Sequence, residues 1–171
     1  LKDSLNELIA TYPNFPKEGI LFRDMMPVLE NPEVFTELIA SMSNLEISQK
    51  ADAILAIDAR GFLLGSAISL KLSKPLIVAR KPGKLPGDII SQSYSLEYGT
   101  NSLSIQKNAI KPYKSFVIID DLLATGGTVE CVAKILSSQQ KKVTGLNVVI
   151  ELSELNGSSK FNFPVSSQVN Y

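Results

Sequence analysis

The chain has 171 residues, of which 44% are hydrophobic and 20% are charged, and its 17 Lys and Arg balance its 17 Asp and Glu. This length and composition predict one globular domain over residues 1–171. The net charge of zero excludes a surface that is attracted as a whole to nucleic acid or to an anionic membrane. The sequence contains no histidine, which excludes histidine-based triads, imidazole general bases and zinc sites with a histidine ligand.

The lone cysteine and the hydropathy pattern indicate the compartment. Cys131 has no partner for an internal disulfide and lies within an apolar helical pattern, so we expect a buried, reduced thiol. No apolar run approaches the roughly 20 residues of a membrane helix, and the N-terminal residues lack the pattern of a signal peptide. We therefore expect a soluble, cytoplasmic protein that binds neither nucleic acid nor membranes.

The first 30 or so residues contain two helix-start patterns with an irregular stretch between them. Ser4 and Glu7 have the spacing of a capping box, and apolar residues at helical spacing through Tyr12 predict a short helix that Pro13 ends. Residues 14–29 predict an irregular segment lying over another part of the molecule. Asn31-Pro32 combines an N-cap residue with a first-turn proline, which predicts the start of a second helix.

From residue 53 onward, apolar runs alternate with helical patterns. Strands are predicted at 53–57, 76–79, 116–119 and 143–150, and helices at 61–72 and 128–136. This alternation is typical of an α/β fold in which helices cover both faces of a mostly parallel sheet. Residues 81–114 do not fit it, and there the alternation of Tyr94, Leu96 and Tyr98 with polar residues predicts an inserted β-hairpin.

An acidic pair and a glycine-rich turn follow the predicted strand at 116–119. Asp120-Asp121 comes directly after that strand, and Thr125-Gly126-Gly127-Thr128 opens the next helix. The turn can wrap a phosphate with backbone N–H groups at the positive end of a helix dipole. The carboxylates suit vicinal ribose hydroxyls or a hydrated magnesium ion. Either half alone could be a solvated strand end or a capping turn, but the conjunction favours a ribose 5-phosphate site.

The same segment resembles the donor-binding motif of type I phosphoribosyltransferases. Four further segments carry a more specific resemblance, and in chain order they are Gly19-Ile20-Leu21-Phe22-Arg23-Asp24, Asp58-Ala59-Arg60-Gly61-Phe62, Arg80-Lys81-Pro82-Gly83-Lys84-Leu85-Pro86-Gly87 and Ser93-Tyr94-Ser95-Leu96-Glu97-Tyr98-Gly99-Thr100. Together they resemble the adenine phosphoribosyltransferase family. The resemblance spans about residues 12–152. It implies the type I phosphoribosyltransferase fold, a mostly parallel twisted sheet flanked by helices, with an N-terminal hood at about 1–30 and a hairpin lid at about 81–106.

The resemblance also implies a function and a set of binding residues. It implies a purine salvage enzyme that is a homodimer, uses Mg²⁺, and transfers the 5-phosphoribosyl group from phosphoribosyl pyrophosphate to adenine. The residues implied to bind the donor ribose and 5-phosphate are Asp120, Asp121, Ala124, Thr125, Gly126, Gly127 and Thr128. Those implied to bind pyrophosphate are Asp58, Ala59, Arg60, Arg80, Lys81 and Lys84. Those implied to bind adenine are Leu21, Phe22, Arg23 and Leu152.

Catalytic roles follow from the same resemblance. Glu97, beside Tyr98 in the lid, is expected to transfer a proton, and Arg60 to stabilise the departing pyrophosphate. Asp120 and Asp121 are expected to hold the ribose and are candidate ligands for a Mg²⁺ ion held mainly by substrate and water.

Several alternatives remain open from the residues alone. Arg60, Glu97 and the loop lysines could be solvated surface charges, and Phe22 and Leu152 could be core residues. The transferred base could be hypoxanthine, guanine or orotate. A regulator that binds the donor without catalysis is the alternative from another class, and the candidates Arg60, Lys81 and Glu97 argue against it.

Overall fold

The computed structural model describes residues 1–96 and 99–171, and its N-terminal part differs from the sequence prediction. Helix α1 (Lys2–Leu8) ends well before Pro13, and its N-cap is Leu1, so the predicted capping box is wrong. The chain then forms an antiparallel hairpin of β1 (Ala10–Pro13) and β2 (Leu21–Asp24). Tyr12 pairs with Phe22 there, because cross-strand pairing overrides the local helical spacing.

Three helices lie between the hairpin of β1 and β2 and the central sheet. The segment expected to be irregular contains β2 and the short helix α2 (Met26–Leu29). Helix α3 (Pro32–Asn44) begins as predicted after Asn31, whose side-chain oxygen accepts a hydrogen bond from the Val34 N–H at 3.1 Å. A short helix, α4 (Glu46–Lys50), which the sequence pattern did not predict, leads into the sheet.

A five-stranded parallel sheet forms the centre of the structure. Its strands are β3 (Ala53–Ile57), β4 (Leu76–Ala79), β7 (Ser115–Leu123), β8 (Lys142–Glu151) and β9 (Val165–Asn170). The order across the sheet is β4-β3-β7-β8-β9. The parallel sheet and its predicted strands are confirmed, while β9 was missed because its sequence contains the polar run Ser166-Ser167-Gln168.

Helices and a hairpin cover the sheet on its two faces. They are α5 (Gly61–Leu72), the hairpin strands β5 (Ile89–Leu96) and β6 (Gly99–Gln106), α6 (Lys107–Ile110) and α7 (Gly127–Ser138). One buried cluster joins α7 and β6 to the sheet, and the other joins α1, α3 and α5 to it. Both helices predicted after strands are therefore confirmed.

No helix within the described residues combines the length and apolar character that a membrane crossing requires.

The predicted hairpin between β4 and β7 is confirmed. Strands β5 and β6 pair antiparallel from Ile89 with Gln106 to Leu96 with Gly99. The hairpin packs on α7, where the Cys131 thiol donates to the Gln92 carbonyl oxygen at 3.0 Å. Cys131 is buried, as predicted, and burial raises the pKa of its thiol, which keeps it protonated.

Candidate active site

A cavity of about 320 Å³ opens at the carboxyl ends of β3 and β7. Ligands bind at this edge in open parallel sheets. It is lined by Ile57, Asp58, Ala59, Arg60, Lys81, Tyr94, Leu103, Asp120, Asp121, Leu122, Leu123, Ala124, Thr125, Gly126, Gly127, Thr128 and Val129. The structure therefore brings the acidic pair, the glycine turn and the predicted pyrophosphate-binding residues 58–60 together around one cavity.

The acidic pair faces the cavity because β7 is longer than its neighbour β3. Pairing between β3 and β7 stops at Ala56 and Ile119, whereas β7 continues beside β8 to Leu123. Asp120 and Asp121 thus lie within a strand rather than at its end, which corrects the predicted boundary. Since β3 ends at Ile57 and α5 begins at Gly61, Asp120 and Asp121 extend beyond the last residue pair on that side.

Burial and the neighbouring carboxylate both act on Asp120. Burial raises the pKa of Asp120 well above the ordinary carboxyl value, and the neighbouring charge of Asp121 raises it further. The Asp121 N–H donates to Asp120 Oδ1 at 2.9 Å, which opposes that rise. Hydroxyl donors on a bound ribose would favour the ionised form of Asp120 in the same way.

Arg60 forms an ion pair with Asp121 across the cavity floor. Arg60 Nε lies 2.9 Å from Asp121 Oδ2, although the N–H does not point at that oxygen, which is buried without a hydrogen bond. The guanidinium also lies over the Phe22 ring, 5.1 Å from its centroid. Arg60 is 32% exposed, so its remaining N–H groups are available to an anion in the cavity.

A second arginine supports the loop that carries Arg60. Arg80 Nε donates to Asp58 Oδ2 at 3.1 Å, and an Arg80 terminal nitrogen donates to the Lys84 carbonyl oxygen at 3.5 Å. Lys81 lines the cavity directly. Lys84 is exposed and, like Arg80, is not among the lining residues, so the structure brings these two predicted pyrophosphate ligands only to the rim.

The glycine loop, defined as residues 124–127, leads from β7 into the first turn of α7. Gly126 has φ +83°, a backbone conformation that favours glycine. The first turn of a helix leaves N–H groups free for an anion. Tyr94, on β5, packs against Gly127, and the Thr128 hydroxyl donates to the Tyr94 hydroxyl at 3.4 Å. Tyr94 and Leu103 were not among the predicted site residues.

The predicted adenine-binding residues lie on the hairpin of β1 and β2 and beyond β8. Phe22 contacts Phe15 edge-on, with ring centroids 5.1 Å apart, and both rings line a cavity of about 440 Å³. Leu21 is half exposed, and Arg23 stacks on the Tyr171 ring with its guanidinium carbon 3.4 Å from the centroid. Leu152 is partly buried against the core cluster that contains α1 and α3.

The acidic pair also fits a magnesium ion that is carried by a substrate. Magnesium in phosphate sites is commonly bound through one or two carboxylates together with substrate phosphates and water. Asp120 and Asp121 both line the cavity, so their carboxylates lie where such an ion would be held. Within the part of the chain that is described, no cluster of three or more acidic or cysteine side chains could hold a metal by itself.

Glu97 and Tyr98 lie outside the described residues, so the roles predicted for them stay predictions.

Two other residues were missed by sequence reasoning. Gly157 contacts the glycine loop, and Tyr171 holds Arg23. The Asn156-Gly157 pair is a recognisable turn sequence, but nothing in the sequence indicates which loop this turn meets.

The chain is similar to known proteins in both sequence and fold. Residues 28–162 match the phosphoribosyl transferase domain family. The adenine phosphoribosyltransferase of Prochlorococcus marinus (strain MIT 9215) is 58% identical over 171 residues, which cover 100% of this chain and 99% of the relative.

Two solved structures are also similar to this chain. The adenine phosphoribosyltransferase of Thermoanaerobacter pseudethanolicus superposes with a TM-score of 0.94 at 38% identity and covers 100% of both chains. The enzyme from Saccharomyces cerevisiae was solved with adenine and an imino-altritol bisphosphate. It superposes with a TM-score of 0.87 at 35% identity, and the match covers 98% of each chain.

Proposed function

The chain belongs to the adenine phosphoribosyltransferase family, and we propose on that basis that it makes AMP and pyrophosphate from adenine and phosphoribosyl pyrophosphate. One observation carries this proposal for the site itself. The carboxylate pair, the glycine loop and the guanidinium of Arg60 surround a single cavity of about 320 Å³. Such a cavity offers hydrogen-bond acceptors for a ribose between two places suited to anions.

The donor binds in this cavity with its 5-phosphate at the glycine loop and its pyrophosphate at Arg60. The glycine loop and Thr125 and Thr128 bind the 5-phosphate through N–H and hydroxyl donors. Asp120 and Asp121 accept hydrogen bonds from the ribose hydroxyls. The pyrophosphate then lies over Ala59 and Arg60, with Lys81 beside it and Arg80 holding Asp58 in place.

The reaction breaks the bond from the anomeric carbon to pyrophosphate and forms a bond to a ring nitrogen of adenine. Positive charge develops on the ribose, and the ionised acidic pair stabilises it. Arg60 and Lys81 stabilise the charge on the departing pyrophosphate. Glu97 takes the proton that adenine releases, and the lid excludes water that would otherwise hydrolyse the donor. When bound, Mg²⁺ supplies further positive charge to the leaving group, with Asp120 and Asp121 as its candidate protein ligands.

Adenine binds next to Arg60, under the hood. Phe22 supports this location because its ring already contacts the Arg60 guanidinium. An aromatic ring can stack on the base, and the backbone groups of Leu21 and Arg23 can read its edge. Leu152, which follows the end of β8, is the candidate for the opposite side of the base.

An assay of AMP formation tests the proposal directly. Adenine, phosphoribosyl pyrophosphate and Mg²⁺ should give AMP and pyrophosphate in equal amounts. Competition among adenine, hypoxanthine, guanine and orotate should show a strong preference for adenine. Donor binding without release of pyrophosphate from any base would instead identify a donor-sensing regulator.

The Glu97→Gln variant should lower kcat by about 10²-fold or more, the usual contribution of proton transfer to catalysis. The dissociation constant of the donor should stay unchanged, because the amide keeps the size of the side chain. Single-turnover rates and donor titrations measure the two effects. Glu33→Gln, at an exposed position in α3, is the control. An unchanged rate would make Glu97 a surface residue.

The Tyr171→Leu variant should raise the KM for adenine about fivefold, which corresponds to the roughly 1 kcal/mol of an exposed cation–π contact. Tyr171 fixes Arg23, and its backbone N–H donates to the Glu151 carbonyl oxygen at 2.9 Å, which anchors the residue independently of its hydroxyl. The KM for the donor should not change. Tyr171→Phe keeps the ring and should keep the adenine KM. Equal changes in both KM values would refute the assignment.

Three further properties complete the proposal. Residues 1–171 act as one domain, with the hood at about 1–30 and the lid at about 81–106. The enzyme is a cytoplasmic homodimer, and Mg²⁺ is its cofactor. Sedimentation equilibrium tests the dimer, and loss of activity with a chelator, restored by added Mg²⁺, tests the cofactor.

A further inference from the structure

A short segment after β8 supports the glycine loop from behind. This rear segment, residues 153–161, contains two short 3-10 helices, Ser153–Leu155 and Gly157–Lys160. Gly157 is buried against the loop. A Cβ at Gly157 would overlap the carbonyl oxygen of Ala124, well inside 3.0 Å, and would lie 3.2 Å from the Gly126 nitrogen. The two backbones are therefore in direct contact, and only glycine permits that contact.

The contact is reciprocal. A Cβ at Gly126 would lie 3.0 Å from the Gly157 carbonyl oxygen and 3.0 Å from Cζ of Phe161. The Phe161 ring packs against the core cluster that contains α7, which holds it in place, and it also stacks on Phe163 with ring centroids 5.0 Å apart. The glycine loop can thus neither move back toward the rear segment nor gain a side chain on that side.

The position of the rear segment is fixed by the sheet. The Leu152 N–H donates to the Leu123 carbonyl oxygen at 2.9 Å, which continues the pairing of β8 with β7. Asn156, with φ 50°, then turns the chain back, and its carbonyl oxygen accepts a hydrogen bond from the Ser159 hydroxyl at 2.7 Å. The same two strands therefore place both the glycine loop and the segment that supports it.

From this arrangement we infer that Gly157 is a positioning residue that sets the affinity of the glycine loop for the 5-phosphate of the donor. The inference rests on the proposed function, because it assigns the 5-phosphate to this loop. A loop that binds through backbone N–H groups has no long side chains that could adjust, so a displacement of about 1 Å weakens binding strongly. Gly157 acts through the loop and touches no substrate itself.

The Gly157→Ala variant tests this inference. The KM and the dissociation constant for phosphoribosyl pyrophosphate should rise about tenfold or more, while the adenine KM changes little. Gly145→Ala is a matched control, because a Cβ there would lie 2.7 Å from Ile47 Cγ2 and 2.9 Å from the Pro164 carbonyl oxygen. That variant should lose thermal stability but keep the donor KM. A merely structural role for Gly157 would give both variants the same result.

A milder pair of variants covers the case in which Gly157→Ala does not fold. Phe161→Leu removes the ring that contacts Gly126, and Phe163→Leu breaks the same stacked pair while leaving that ring in place. Donor affinity should fall about threefold in the first and stay unchanged in the second. Equal donor affinity in wild type and Phe161→Leu would overturn the inference. Donor affinity is measured by calorimetric titration without adenine, so it does not depend on catalysis. A failure of the proposed activity would appear separately, as a wild-type enzyme that forms no AMP.

Discussion

Replacing Asp120 and Asp121 together with asparagine should lower kcat/KM by about 10³-fold or more, because both charges that stabilise the ribose in the transition state are lost. Asparagine has nearly the same size, so the strand and its pairing with β8 should remain. Initial rates of AMP formation at saturating Mg²⁺ measure the effect. Near-normal turnover would remove the acidic pair from the mechanism.

The two single variants should differ in stability although both lose activity. In the wild type, burial raises the pKa of Asp120 above its value in the unfolded chain. The folded state therefore binds more protons, and stability falls as pH rises through the window between the two pKa values. Above the ordinary carboxyl range, Asp120→Asn should thus raise the free energy of unfolding by about 1 kcal/mol. The gain should shrink as pH falls toward the ordinary carboxyl pKa.

Asp121→Asn should act in the opposite direction on stability. It removes the charged partner of Arg60 and leaves the guanidinium without its ion pair. The loss should be about 1–2 kcal/mol, less than for a fully buried pair, because Arg60 is 32% exposed. Denaturant unfolding of both variants at pH 5 and pH 8 gives the comparison. Equal stability changes would mean that the two carboxylates have the same environment.

The parts of the fold that could be predicted are those with strong local patterns. Helix α5 begins and ends where the sequence predicts, because Gly61 follows a buried strand and apolar residues continue to Leu72. The end of β7 was predicted too early, because two aspartates interrupt its apolar run. The strand continues through them since β8 supplies its hydrogen-bond partners up to Leu123.

The parts that could not be predicted depend on contacts between distant residues. Tyr12 fits a helical pattern, yet its pairing with Phe22 places it in a strand. Gly157 meets the glycine loop about 30 residues earlier in the chain, and Tyr171 meets Arg23 near the other end. Resemblance to a family supplied the candidate ligands, whereas the geometry distinguished Arg60 and Lys81, which line the cavity, from Arg80 and Lys84 at its rim.

Gly61→Ala should also have a large effect, because this glycine lets α5 approach the acidic strand. A Cβ at Gly61 would lie 2.8 Å from the Ile119 carbonyl oxygen and 3.1 Å from Asp120 Oδ1. Helix α5 must therefore move away from β7, and the adjacent Arg60 moves with it. We expect stability to fall by about 1–3 kcal/mol, as for other overpacked contacts. We expect kcat/KM to fall at least about tenfold, because Arg60 and Asp120 are both displaced.

A second glycine on the same helix separates the two effects. A Cβ at Gly65 would lie 2.6 Å from Ala56 Cβ, one turn further along α5 and against a residue of β3 that is not among those lining the cavity. Gly65→Ala should therefore lower stability by a similar amount, while its contact lies away from the cavity edge. Assayed at a temperature where both variants are folded, Gly65→Ala should retain most of the wild-type kcat/KM and Gly61→Ala should not. Equal activity per folded molecule would show that the close approach of α5 to Asp120 serves packing alone.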